Sequence, residues 1–78
     1  MKQMIVIPME TFNSLVDRCA DSLPEYQTLK NGFVMRNKGG EEEVHIMCDS
    51  ASAKTILAFA DQAYSEAVPH IRAMSLSD

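Results

Sequence analysis

The chain has 78 residues, a hydrophobic share of 46% and a net charge of −4 at pH 7. A chain of this length makes one small domain, 1–78, and buries only about 60–65% of the surface that its unfolded form exposes. The acidic charge disfavours direct binding to a nucleic-acid backbone, and no apolar run is long enough to span a membrane. Two cysteines, Cys19 and Cys48, are too few for a secreted disulfide scaffold. We therefore expect a cytoplasmic domain.

The N-terminal part of the chain predicts a strand followed by a helix. KQMIVIP, residues 2–8, is an apolar, β-branched run that ends at Pro8. Pro8 also suits the first turn of the helix that follows. The apolar residues of that helix recur at helical spacing, with polar residues between them: Phe12, Leu15, Val16, Cys19 and Leu23. A second, short helix over 23–30 is predicted by a capping-box spacing before it and by Asn31-Gly32 after it.

Residues 32–48 alternate between apolar and polar positions, which predicts a β-hairpin. We expect Gly39-Gly40 to form a two-residue type I′ turn. That turn sets the register by aligning opposite charges and apolar pairs, namely Lys38 with Glu41, Arg36 with Glu43, Met35 with Val44, Val34 with His45, and Phe33 with Ile46.

In this register one face of the hairpin meets the helices through Val44, Ile46 and Cys48. The other face carries Val34, Arg36, Glu43, His45 and Met47. The first strand adds to that second face either Met4 and Val6 or Ile5 and Ile7. The result is a half-apolar surface that no predicted helix covers.

The C-terminal third predicts a helix that Asp49 or Ser50 caps. Pro69 predicts its end, but Ile71 and Met74 fall on the same apolar stripe, so a kinked continuation competes with a stop. A helix over 50–74 would measure about 37 Å and project beyond so small a domain. The predicted order is β-α-(short α)-β-β-α, an α+β domain with a three-stranded sheet and helices on one face.

The stretch RNKGGEEEVHIMCD, residues 36–49, contains the side chains of metal and thiol sites, but their spacing argues against both. His45 and Cys48 point to opposite faces of a strand, so they cannot share an ion without a bulge. We expect Cys48 to be a packed core thiol and Glu41–Glu43 to be a solvated arm of the hairpin. Since no nucleotide-binding, zinc-protease, CxxC or GxSxG motif occurs, we expect no metal, no cofactor and no enzymatic activity.

The half-apolar face and the last helix predict a protein-interaction domain: an adaptor, a regulator or an inhibitor of another protein, of the kind that phages and mobile elements encode. Its partner would be a second copy, in a homodimer, or a different protein. The expected contact residues are Val34, Arg36, His45, Met47 and Phe59.

Two other functions stay open at this stage. The first is a homodimeric ligand-binding or enzymatic domain whose site, at the dimer seam, uses Arg36, Glu43, His45 and Tyr64. The second is an acidic mimic of nucleic acid, which needs one contiguous patch of carboxylates from Asp17, Asp21, Glu41, Glu42, Glu43, Asp61 and Glu66.

Overall fold

The computed structural model, described over residues 2–18 and 29–76, contains one four-stranded antiparallel sheet with α-helices packed on one face. The strand order across the sheet is β2-β3-β1-β4. The α+β class and the first strand are confirmed, but the three-stranded sheet is wrong by one strand. In chain order the elements are β1 (Lys2–Pro8), α1 (Met9–Arg18), β2 (Phe33–Arg36), β3 (Glu42–Asp49), α2 (Ser50–Ala63), a 3-10 helix (Ser65–His70) and β4 (Arg72–Ser75).

The core lies between the helices and one face of the sheet, called here the inner face. Val44, Ile46 and Cys48 point into this core, as their alternation along β3 predicts. Each large aliphatic side chain buried there contributes roughly 1.5–3 kcal/mol, before the entropy cost of ordering the chain. The inner face supplies Ile5, Ile7, Val44, Ile46 and Cys48, and the helices supply Leu15, Ala53, Ile56 and Ala60.

The β2–β3 hairpin is present, but its register differs by one residue from the predicted one. Phe33 pairs with His45 and Val34 with Val44, whereas the prediction paired Val34 with His45. Because side chains alternate along a strand, this shift exchanges the two faces of β2. Val34 therefore lies on the inner side of the sheet and Phe33 on the other.

The turn explains the shift. Its loop has three residues, Lys38, Gly39 and Gly40, instead of two. The N–H of Asn37 donates to the Glu41 carbonyl at 2.8 Å, and Gly40 adopts a φ of 82°, which favours glycine. The Asn37 side-chain oxygen also accepts hydrogen bonds from the N–H groups of Gly39 and Glu41, at 2.9 and 3.0 Å. This is the type I turn with a glycine bulge, the commonest three-residue hairpin loop.

The last helix is shorter than predicted. Asp49 caps it as expected, since its carboxylate accepts a hydrogen bond from the Ser52 N–H at 2.7 Å. The helix ends at Ala63, however, and Pro69 lies within the following 3-10 helix, so both the continuation through 74 and the stop at Pro69 are wrong. Ile71 is buried in the core, whereas Met74 lies on a strand and is exposed.

The predicted short helix over 23–30 falls mostly outside the described residues, as do Cys19 and Leu23. Its final residues, Leu29 and Lys30, are helical, and Leu29 is fully buried. The Gly32 N–H donates to the Leu29 carbonyl at 3.2 Å, where the chain turns into β2.

Candidate functional site: the outer face of the sheet

The face of the sheet opposite the helices, called here the outer face, is organised in rows that cross the strands. Residues paired in an antiparallel ladder share a face, so the pairing of neighbouring strands defines each row. One row consists of Met47, Met4 and Met74, and the next of Phe33, His45, Val6 and Arg72. A third row consists of Met35, Glu43 and Pro8.

Four large apolar side chains of these rows are exposed: Phe33 at 47%, Met35 at 47%, Met47 at 57% and Met74 at 42% of their full area. Because a fully exposed side chain of this size offers roughly 200 Å², together they present about 400 Å² of apolar surface. A patch of that size matches the largest found on most monomeric proteins, and such patches are often functional.

A polar group lies among these apolar residues. The Arg72 guanidinium donates a hydrogen bond to the Glu43 carboxylate at 2.9 Å, and the His45 Nε2 atom lies 3.6 Å from the other carboxylate oxygen. The second distance is too long for a hydrogen bond. The His45 Nε2 atom is buried and has no hydrogen-bond partner among the described residues. Glu43 and His45 are only 13% and 19% exposed, whereas Arg72 is 58% exposed.

The outer face gathers only part of the predicted contact set. His45 and Met47 lie on it. Val34 and Arg36 lie on the inner side of β2 instead, because of the register shift. Phe59 belongs to α2, where it is partly buried and packs against the core. The predicted placement of Val34 and Arg36 on the same face as His45 and Met47 is therefore wrong, whereas Phe59 lies on the last α-helix, as predicted.

The seam site proposed for a ligand is also dispersed. Glu43 and His45 are neighbours on the outer face, but the Arg36 guanidinium donates to the Gly40 carbonyl at 3.2 Å, beside the hairpin turn. Tyr64 ends α2, where its ring lies 4.3 Å beneath the Arg18 guanidinium. The four side chains do not converge within one copy of the chain.

Sequence reasoning missed Phe33, Met35, Arg72 and Met74 on the outer face, and it gave Met4 and Val6 as one of two alternatives for the first strand. The available signal was composition, since six methionines in 78 residues is a high number. Four of them, which are scattered along the sequence, come together on this face. Methionine is flexible and polarisable and is common on adaptable binding surfaces.

Among the described residues, the thiol and carboxylate groups outside the outer face do not form a second site. Burial raises the pKa of the Cys48 thiol, and the neighbouring Asp49 carboxylate raises it further, so the nucleophilic thiolate is disfavoured. Within the described part of the chain, no three His, Cys, Asp or Glu side chains are placed to hold a metal ion. Glu10, Glu41, Glu66 and His70 line an open cleft of about 460 Å³.

Comparisons with known proteins add no assignment: no family model, no curated protein and no solved structure matches this chain. Among the described residues, no helix is long and apolar enough to cross a bilayer.

Proposed function

We propose that this chain is a non-enzymatic protein-interaction domain that binds another protein through the outer face of its sheet. The observation that carries the proposal is the exposure of Phe33, Met35, Met47 and Met74 on one continuous face. Adaptors, regulators and inhibitors of other proteins act through surfaces of this kind, without chemistry of their own.

The composition of the face supports this function. The buried centres of protein interfaces are enriched in aromatic residues, methionine and arginine, and depleted in lysine and glutamate. The outer face carries residues of the enriched types, namely Phe33, four methionines and Arg72. Its single central carboxylate, Glu43, is already paired with Arg72, so a partner would not leave that charge unpaired.

The polar group formed by Glu43, His45 and Arg72 would orient a bound partner protein. The exposed Arg72 guanidinium has further N–H groups available to a partner carbonyl or carboxylate, because one hydrogen bond to Glu43 leaves part of its planar fork unused. An apolar patch that contains one such polar group favours one docking orientation over others.

The experiment is photo-crosslinking from two positions. A photoreactive amino acid replaces Met47 on the outer face in one variant and Lys54, an exposed residue of α2, in the matched control. Both variants are expressed in the cells from which the gene comes, and their helix content is checked by circular dichroism.

We expect discrete crosslinked products from position 47 and none from position 54. Equal products from both positions would reflect non-specific contact and would contradict the proposal. The same is true if no product forms from position 47 while the variant is folded.

A further inference from the structure

We propose that two copies of this chain join through the free edge of β4, which pairs antiparallel with β4 of the second copy to form one continuous sheet. This inference goes beyond the proposed function, because it rests on the backbone edge of the sheet and concerns a second copy of the chain, not another protein. The strand that pairs with this edge is β4 of a second copy of the chain.

The hydrogen-bonding pattern shows which backbone groups of β4 are free. The Leu76 N–H donates to the Lys2 carbonyl at 3.0 Å, at the end of the β1–β4 ladder. Hydrogen-bonded and non-hydrogen-bonded pairs alternate along an antiparallel ladder. Met4 therefore exchanges hydrogen bonds with Met74, whereas Ala73 and Ser75 direct their N–H and C=O groups away from β1, at the edge of the sheet.

The two edges of the sheet differ in how well they are protected. Natural edge strands avoid pairing by being short or by means of charged side chains, proline or an inward-pointing charge. β2 has such a device, since the charged Arg36 lies on its inner side, next to Glu42 at 4.0 Å. The inner-side residues of β4 are Ala73 and Ser75, both small and uncharged, and β4 contains no proline or lysine. Both edge strands have four residues and one arginine, but Arg72 of β4 lies on the outer side, so β4 is the less protected edge among the described residues.

The sequence of β4 is compatible with its own copy. A two-fold axis at Met74 pairs Ala73 with Ser75 of the second copy, and Ser75 with Ala73 of the second copy, so every outward backbone group of those residues finds a partner. Met74 then meets Met74 of the second copy on the outer face. Among the described residues, no charged side chain faces another across the β4–β4 interface.

The charges at the β4–β4 interface are also compatible with pairing to a second copy. In this register the two Arg72 side chains are separated by about 13 Å along the strand direction, at about 3.3 Å per residue. That distance exceeds the screening length of ~8 Å at physiological salt, so their repulsion is weak. The β4–β4 interface is short, and interfaces well below about 1,200 Å² belong to weak associations, so we expect a dissociation constant between about 50 μM and 1 mM.

The test combines solution mass with paired proline variants. Light scattering follows the mass of the chain from about 20 μM to about 1 mM, the range in which weak complexes form. Ala73→Pro removes an outward N–H that makes no bond within the sheet, and Val34→Pro does the same on β2, as the matched control. Thermal unfolding confirms that each variant is folded.

We expect the chain and Val34→Pro to dimerise with rising concentration, and Ala73→Pro to remain monomeric. Amide hydrogen exchange supplies a readout that needs no variant: the Ala73 and Ser75 amides should exchange several-fold more slowly at the high concentration. A chain that is monomeric throughout, a dimer that survives Ala73→Pro, or protection confined to Val34 and Arg36 would each overturn the inference. None of these results affects the crosslinking test of the outer face.

Discussion

Phe33 faces His45 across the β2–β3 ladder, with ring centroids 5.9 Å apart and ring planes inclined at 42°. This contact places an aromatic ring of the edge strand beside the Glu43–Arg72 ion pair on the outer face. It also determines which residues of β2 lie on the outer face, since Met35 must share the face of Phe33. The aromatic and methionine side chains that we propose as the interaction surface lie together because of this register.

The division between inner and outer face predicts opposite results for two neighbouring substitutions. Ile46 is 1% exposed, so Ile46→Glu would place an unpaired carboxylate in the core at a cost of several kcal/mol. A domain of this size has only about 4–12 kcal/mol of stability, so we expect this variant to be unfolded. Met47→Glu is the matched control: it should remain folded and lose association through the outer face.

Circular dichroism and urea unfolding measure the first effect, and photo-crosslinking from a second outer-face position, Met35, measures the second. A folded Ile46→Glu variant together with an unfolded Met47→Glu variant would show that the two faces of β3 are reversed.

Gly32 lies against the inner face, where a larger residue does not fit. A Cβ atom at this position would lie 2.5 Å from Val44 Cγ1 and 2.9 Å from Ile46 Cγ1. We expect Gly32→Ala to lower the free energy of unfolding by about 1–3 kcal/mol, the usual cost of overpacking a core. Gly39→Ala is the control, because its Cβ atom would meet only the Asn37 side-chain oxygen, at 3.4 Å.

Urea denaturation compares the two glycine variants. The Gly39 variant should stay within about 0.5 kcal/mol of the parent chain, as most surface substitutions do. Equal stability of the two variants would contradict the close approach of Gly32 to β3.

Asp49 links the stability of α2 to pH. Hydrogen bonds from the backbone N–H and the side chain of Ser52 lower the pKa of the Asp49 carboxyl below its ordinary value of 3.8. Because the folded-state pKa is depressed, this carboxylate stabilises the fold above the unfolded-state pKa, and its contribution is lost as the pH falls through the folded-state pKa. Thermal unfolding between neutral and acidic pH measures the effect.

Two variants distinguish the effect of helix capping at position 49 from the effect of the carboxylate charge. Asp49→Ala should lower the melting temperature at neutral pH, since alanine cannot cap a helix. Asp49→Asn should retain most of the capping but show a smaller loss of stability on acidification. If Asp49→Asn and the parent chain lose stability in parallel over the whole acidic range, the carboxylate does not have this role.

Cys48 should react slowly with alkylating reagents. Its thiol is buried, and burial raises its pKa, so both access and the thiolate fraction are reduced at neutral pH. In a Cys19→Ser chain, Cys48 is the only thiol, and mass spectrometry gives its alkylation rate directly. We expect a rate at pH 7–8 that is at least about tenfold below that of the same chain in urea. A native rate equal to the unfolded rate would contradict the core position of Cys48.

Short-range patterns in the sequence identify much of this fold. The run that ends at Pro8, the helical spacing of Phe12 and Leu15, and the cap at Asp49 are local signals, and the structure contains the element that each one predicts. The inward direction of Val44, Ile46 and Cys48 follows from alternation alone and is also confirmed.

The errors arise where two local patterns compete. Gly39-Gly40 fits a two-residue turn, but the Asn37 side chain bonds the loop backbone and Gly40 takes the positive φ, which adds one residue to the loop. Ile71 and Met74 fit a helical stripe, yet the edge of β1 offers hydrogen bonds that only a strand can use. That edge exists only after the sheet has formed, so no local pattern near Met74 indicates it.

The methionine methyl groups test the outer face most directly. A ¹³C-methyl spectrum is recorded with the labelled chain alone and then in an extract of its native cells. Met9 packs against the core on the helix side and is the internal control. We predict that the signals of Met4, Met35, Met47 and Met74 shift or broaden in the extract while the Met9 signal stays unchanged. If the Met9 signal changes as much as those four, or if the four stay sharp and unshifted, the outer face is not the interaction surface.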